Sequence, residues 1–130
     1  MNQPILVTIF DMAALGQLRG NGPLRRELDR AIVVSSMAIP PDVATMNSTI
    51  RYVDEASGER RTVSLVYPAQ SDAEAGKVSV LEPVGTALLG LSAGQAIEWD
   101  FPDGSRRRLK LEAVLDQPQR RRNTPLPLAP

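Results

Sequence analysis

A small α+β domain is the predicted fold, with a short N-terminal helical hairpin ahead of an antiparallel sheet of four or five strands that one short helix closes. Three observations predict it. Over residues 48–54, 60–67, 95–101 and 106–116, apolar side chains recur at every second position between turn-forming residues, the pattern of half-buried strands. Leucines at helical spacing occupy residues 12–31, on either side of a Gly-Asn-Gly-Pro break. A chain of 130 residues is also long enough to bury one core without covalent staples.

Residues 4–10, PILVTIF, form a compact β-branched run that predicts a strand. Asp11 is the expected N-cap of a helix over 12–19, its carboxylate accepting from the unpaired N–H groups of the first turn. Gly20, Asn21, Gly22 and Pro23 end that helix. Pro23 then opens a second one over 24–31, where its missing N–H would have no partner anyway. Leu15 and Leu18 on the first helix, with Leu24 and Leu28 on the second, suit an antiparallel pair. Eight residues per helix at about 1.5 Å each make an arm of about 12 Å. Residues 32–34 add a short apolar run, and Pro40 and Pro41 exclude helix from the loop that follows.

In the strand over 48–54, Ile50 and Tyr52 face one side, with Thr49, Arg51 and Val53 on the other. A turn through Gly58 returns the chain into a strand over 60–67, which Pro68 ends, and 70–76 reads as a polar loop. The rest is organised around residues 77–91, KVSVLEPVGTALLGL. This stretch predicts a strand over 78–81, a stop at Glu82 and Pro83, one or two helical turns carrying Val84, Leu88 and Leu89, and a left-handed end at Gly90. After an Ala93-Gly94 turn, the strand over 95–101 places Ile97, Trp99 and Phe101 on one face and Ala96, Glu98 and Asp100 on the other. Pro102, Asp103 and Gly104 turn the chain into the last strand, 106–116, with Leu109, Leu111, Ala113 and Leu115 inward and Arg108, Lys110 and Glu112 outward. Beyond it the sequence is basic and then proline-rich, a composition expected to form a disordered tail. The expected organisation is therefore 1–35 for the strand and hairpin, 36–118 for the sheet domain and 119–130 for the tail.

The chain has no cysteine and no histidine. Disulfides, thiolate zinc sites, cysteine nucleophiles and every Ser-His-Asp arrangement are thereby excluded, and hydrolysis loses its usual base. Net formal charge is zero, yet residues 54–103 hold nine acidic side chains against Arg60, Arg61 and Lys77, whereas 104–122 hold seven basic ones against Glu112 and Asp116. That polarity suits a protein partner with a charge pattern of its own better than an unspecific polyanion. No apolar run nears the ~20 residues of a membrane span and none reads as a secretory signal, so the expected location is the cytoplasm, with no membrane partner.

Asp54 with Glu55, and Glu98 with Asp100, are carboxylate pairs with the chemistry to hold a divalent ion. No further ligand stands near them in sequence, solvated strand faces account for them, and no metal or cofactor is expected. Arg106, Arg107 and Arg108, and again Arg120, Arg121 and Arg122, are candidates for phosphate contacts, set against a solvated strand start and a basic tail. Aromatics are too few for base stacking beside them, so no direct sequence-specific nucleic-acid binding is expected. The Gly20 to Pro23 tip lacks the lysine of a phosphate loop and reads as a hairpin tip. Trp99 is either core or an exposed anchor, and the face it shares with Ile97 and Phe101 favours core. Asn47, Ser48 and Thr49 have the form of a glycosylation acceptor, without the secretory signal that would use it.

Two motif-bearing stretches, DVATMNSTIRY at 42–52 and TVSLVYPAQSDAEAGKVSVLEPVGTALLGL at 62–91, are followed by Gly94, Trp99, Pro102, Gly104 and the DQP at 116–118. In collinear order they resemble the C-terminal, FKBP-like domain of the Gre transcript-cleavage factors, and more closely the regulator of nucleoside diphosphate kinase (Rnk) family. The resemblance implies an FKBP-like sheet and RNA polymerase as partner, docked at the rim of the secondary channel. It assigns the docking surface to Glu82, Pro83, Val84, Gly85 and Thr86, with Pro83 at the family's proline and Glu82 where cleavage factors often have serine. Cleavage factors carry acidic residues at the tip of a long hairpin, which help to hold a catalytic magnesium ion. Here the tip has none and the arm is short. The expectation is a non-enzymatic regulator that competes with Gre factors without stimulating transcript cleavage. Peptidyl-prolyl isomerisation, the enzymatic alternative for such a fold, wants an aromatic-lined pocket that five aromatics poorly supply; direct binding of nucleoside diphosphate kinase is a third alternative, drawn from the family's name.

Overall fold

The computed structural model describes residues 5–18 and 22–118, so the expectations for Gly20 and Asn21 at the hairpin tip and for the 119–130 tail lie outside the described residues. The elements run β1 (Leu6–Thr8), α1 (Ile9–Leu15), α2 (Gly22–Asp29), β2 (Ile32–Val34), β3 (Thr49–Asp54), β4 (Glu59–Val66), a 3-10 turn (Pro68–Gln70), β5 (Lys77–Ser79), α3 (Pro83–Leu88), β6 (Ala96–Asp100) and β7 (Arg106–Asp116). The main sheet has the order β5-β4-β3-β7-β6. It is antiparallel except at the β4–β5 edge, and β1 and β2 form a separate parallel pair. The α+β class is as predicted.

The front of the chain differs from expectation in two ways. The strand expected over 4–10 is only three residues long, because Thr8 caps a helix that starts at Ile9: its Oγ accepts from the Asp11 N–H at 3.1 Å. Asp11 therefore does not cap. It is buried one turn further on, where its carboxylate accepts from the Met46 N–H at 3.2 Å and from the Tyr67 hydroxyl at 3.3 Å. The expected helical hairpin has its tip in residues 19–21, outside the described residues. Parallel neighbours need a long crossover, and α1 and α2 serve as that crossover: α1 packs on β1 and β2, while α2 packs on α3.

One core runs through both halves of the chain. Ile5, Val7, Leu15 and Leu24 from the front share it with Met46, Ile50, Leu65, Leu88, Leu91, Leu109 and Leu111. The tie at Asp11 crosses the same boundary. Asp11→Ala leaves a buried amide and a phenol without their acceptor, and is expected to lower stability by about 2 kcal/mol in urea unfolding, with Asp11→Asn losing less.

Strand β7 matches its predicted bounds, but its inner face changes part-way. Opposite β3, Tyr52 pairs with Leu111 and Arg51 with Ala113, which leaves Glu112 as an extra residue. A second irregularity skips Leu115 between Ile50↔Val114 and Thr49↔Asp116. Each insertion shifts the alternation by one. Val114 consequently packs on the core and Leu115, expected inward, is 52% exposed.

Candidate functional site

The segment between β5 and α3 is held by its own backbone and by two hydroxyls. Ser79 O accepts from the Glu82 N–H at 3.0 Å, Ser79 Oγ accepts from the Leu81 N–H at 3.1 Å, and the Glu82 carboxylate accepts in turn from the Ser79 N–H at 3.2 Å. Pro83 follows at the first helical position, where a proline costs no hydrogen bond. Thr86 donates its hydroxyl to Val80 O at 2.6 Å, and Gly85 lies so close to β5 that a Cβ there would stand 2.3 Å from Ser79 O. These contacts divide the five residues that the resemblance singles out. Glu82 is exposed and Pro83 and Val84 are half-buried at the surface, whereas Gly85 and Thr86 are buried and hold the turn in shape.

Glu82, Pro83 and Val84 form one rim of a groove of about 490 Å³. Tyr52, Val63, Val78 and Phe101 also line it, with Arg61 and Lys77 among the charged residues. A recess of about 140 Å³ shares Tyr52, Arg61, Val84 and Phe101 and continues to Asp54, Glu59 and Arg107. Burial holds the Tyr52 phenol above its usual pKa, with the Arg61 charge opposing, so it stays a neutral hydroxyl at physiological pH. The Arg107 guanidinium lies 4.6 Å from the Phe101 ring centroid and stiffens that wall. A mostly apolar groove with a few fixed polar groups is suited to receiving a protruding apolar segment of another protein. Tyr52, Arg61 and Phe101 are absent from the sequence assignment, because the groove draws on three strands, the residue after β6 and α3, and alternation reports only which side of a strand a residue takes.

The charge polarity of the sequence has its explanation in the sheet register. Asp100 stands opposite Arg106 and Glu98 opposite Arg108 on β6–β7. Arg106 reaches Glu98 at 3.2 Å and Asp100 at 3.7 Å; Arg107 reaches Asp54 at 3.8 Å and Asp103 at 3.5 Å; Arg108 reaches Glu55 at 3.4 Å. Both candidate carboxylate pairs for a metal and the arginine run for phosphate thus face each other. Largely exposed pairs of this kind add little stability, but they neutralise one another. Asp103 is further held below the usual carboxylate range by hydrogen bonds from the Ser105 hydroxyl and N–H. Trp99 is half-buried, packed on the core and lining a cavity of about 380 Å³ beside α2.

A family model described as transcription elongation factor, GreA/GreB, C-term, matches residues 39–116. The chain is 42% identical over 96 residues to the regulator of nucleoside diphosphate kinase of Escherichia coli K12, covering 74% of this chain and 71% of that protein. It is 32% identical over 83 residues to the transcription elongation factor GreA of Azorhizobium caulinodans, covering 64% of this chain and 53% of that protein, so it spans about half the length of such a factor. A solved GreA/GreB structure from Nitrosomonas europaea superposes with a TM-score of 0.67 at 41% identity, covering 87% of this chain and 98% of that one.

Proposed function

The chain belongs to the GreA/GreB C-terminal family and stands close to the regulator of nucleoside diphosphate kinase within it, and from that premise we propose that it binds RNA polymerase as a transcription regulator. It docks near the secondary channel through the Pro83–Val84 ridge and the groove beneath it, competes with Gre factors, and catalyses nothing itself. The observation that carries this reading is the ridge: of the five residues that the resemblance singles out, Glu82, Pro83 and Val84 lie at the surface on a rigid turn over a groove lined by Tyr52 and Phe101. The lack of cleavage stimulation follows from the front end. Helices of seven and eight residues reach only about 12 Å each, too short for a long arm.

The test is displacement of a labelled Gre factor from core polymerase, with a transcript-cleavage assay alongside. The intact chain is expected to displace it and to leave cleavage unstimulated. Val84→Lys, at the lip of the groove, is expected to raise the concentration needed by about tenfold or more with the fold unchanged. Unaltered Gre occupancy in the presence of excess protein would refute the proposal. Deleting residues 1–31 is a poor substitute, since it strips Ile5, Val7, Leu15 and Leu24 from the core. The name of the 42% identical relative favours a second reading, contact with a nucleoside diphosphate kinase, and co-purification with that enzyme in place of polymerase would select it.

A further inference from the structure

Exposed apolar side chains are concentrated at the front of the molecule. Among the described residues, five of the six large ones are Ile9 (57% exposed), Phe10 (73%), Ile32 (49%), Val33 (46%) and Met37 (77%). The parallel register gathers them. Because Thr8 lies beside Val34, α1 begins where the turn through residues 35–38 leaves β2, and Ile32 and Val33 lie on the strand itself. This face is nearly uncharged: residues 31–41 contain no acidic or basic side chain, and residues 5–18 contain only the buried Asp11.

Among the described residues, the backbone there is open as well. On one side β1 donates its Leu6 N–H to Gly90 O at 3.1 Å, and on the other it pairs with β2. The Ile32 N–H donates to Ile5 O at 2.8 Å, so by the alternation of a parallel ladder Val33 turns its own N–H and C=O to the outer edge. The two edges of the main sheet are guarded by charge, Lys77 on β5 and Glu98 and Asp100 on β6. Strand β2 reads Ile-Val-Val and carries no charge, proline or bulge, the devices by which monomers protect an edge.

We propose that a second copy of this chain covers this face. The β2 strands of the two copies pair antiparallel about a two-fold axis at Val33, each Val33 N–H donating to the other's C=O, to give one sheet in the order β1-β2-β2-β1. Ile9, Phe10 and Met37 pack around the junction. Self-association is favoured over a charged partner because an uncharged face offers such a partner no complementary field and meets its own copy without like-charge repulsion. The five side chains expose on the order of 500 Å² per copy, most of the about 800 Å² per partner that a stable interface uses. This surface is separate from the Pro83 groove, and its test needs no polymerase.

Sedimentation equilibrium of the full chain from about 1 to 500 µM decides the matter. The expected result is a reversible monomer–dimer equilibrium within that range, with the dissociation constant raised at least about 100-fold by Val33→Lys and by Phe10→Lys. Phe10 is so exposed that its replacement leaves the monomer folded, which circular dichroism verifies. Val33→Pro, which removes the outward N–H without taking a donor from the bonds to β1, is expected to weaken the dimer too. A wild-type chain that stays monomeric throughout the range overturns the proposal, as does a dimer that both lysine variants leave intact.

Discussion

Gly85→Ala is expected to be among the most damaging single substitutions in this protein, lowering stability by about 3–4 kcal/mol in chemical denaturation, roughly 10 °C or more in melting temperature. The added methyl would sit 2.3 Å from Ser79 O and 3.0 Å from Val80 Cα, and both neighbours are main chain. Neither can rotate away as a side chain would. Relief has to come from lifting α3 off β5, which breaks the Thr86-to-Val80 bond and moves the Pro83–Val84 ridge. The variant should therefore lose polymerase competition more steeply than its loss of folded protein explains. Gly22→Ala, at a helical glycine with nothing within 4 Å, is the matched control and is expected to be near neutral or slightly stabilising.

Gly90→Ala is the second large effect, about 3–4 kcal/mol by the same measurement, and it has two separable sources. The residue holds φ +81°, a left-handed conformation that a Cβ disfavours by about 1–2 kcal/mol. A methyl there would also meet Ile5 Cβ at 2.5 Å and the Leu6 backbone at 3.1 Å, where β1 passes against the end of α3. Gly104→Ala has a similar φ, +87°, with open space around it, and is expected to lose only the conformational part. The difference between the two variants measures how tightly the front strand is pressed onto the family domain.

What was legible in the sequence was the part governed by local alternation and turn chemistry. The β3–β4 hairpin, its Gly58 turn, the α3 stop at Gly90 and the span of β7 all lie where the residues place them. Pairings between distant segments were not legible. Nothing in PILVTIF or AIVVS announces a parallel partner some 25 residues away, and so the pairing of the two strands that α1 and α2 connect was not legible. The inward side of β7 reversed past Glu112, because a bulge is set by the strand opposite and leaves no mark on its own residues. The candidate site was half visible. Pro83 and Val84 lie at the surface, half-buried, but Gly85 and Thr86 are buried supports, and the Tyr52–Phe101 lining came together only when distant strands met.

The core that extends unbroken from Ile5 to Leu111 has a bearing on how such a protein diversifies. Its front end is no detachable cassette. Exchanging it at residue 35 for a longer probe would unravel the head that carries it, whereas lengthening α1 and α2 from within, between Gln17 and Pro23, leaves β1, β2 and their shared interior in place. Lineages that gain or lose reach are expected to have done so by growth at that internal joint.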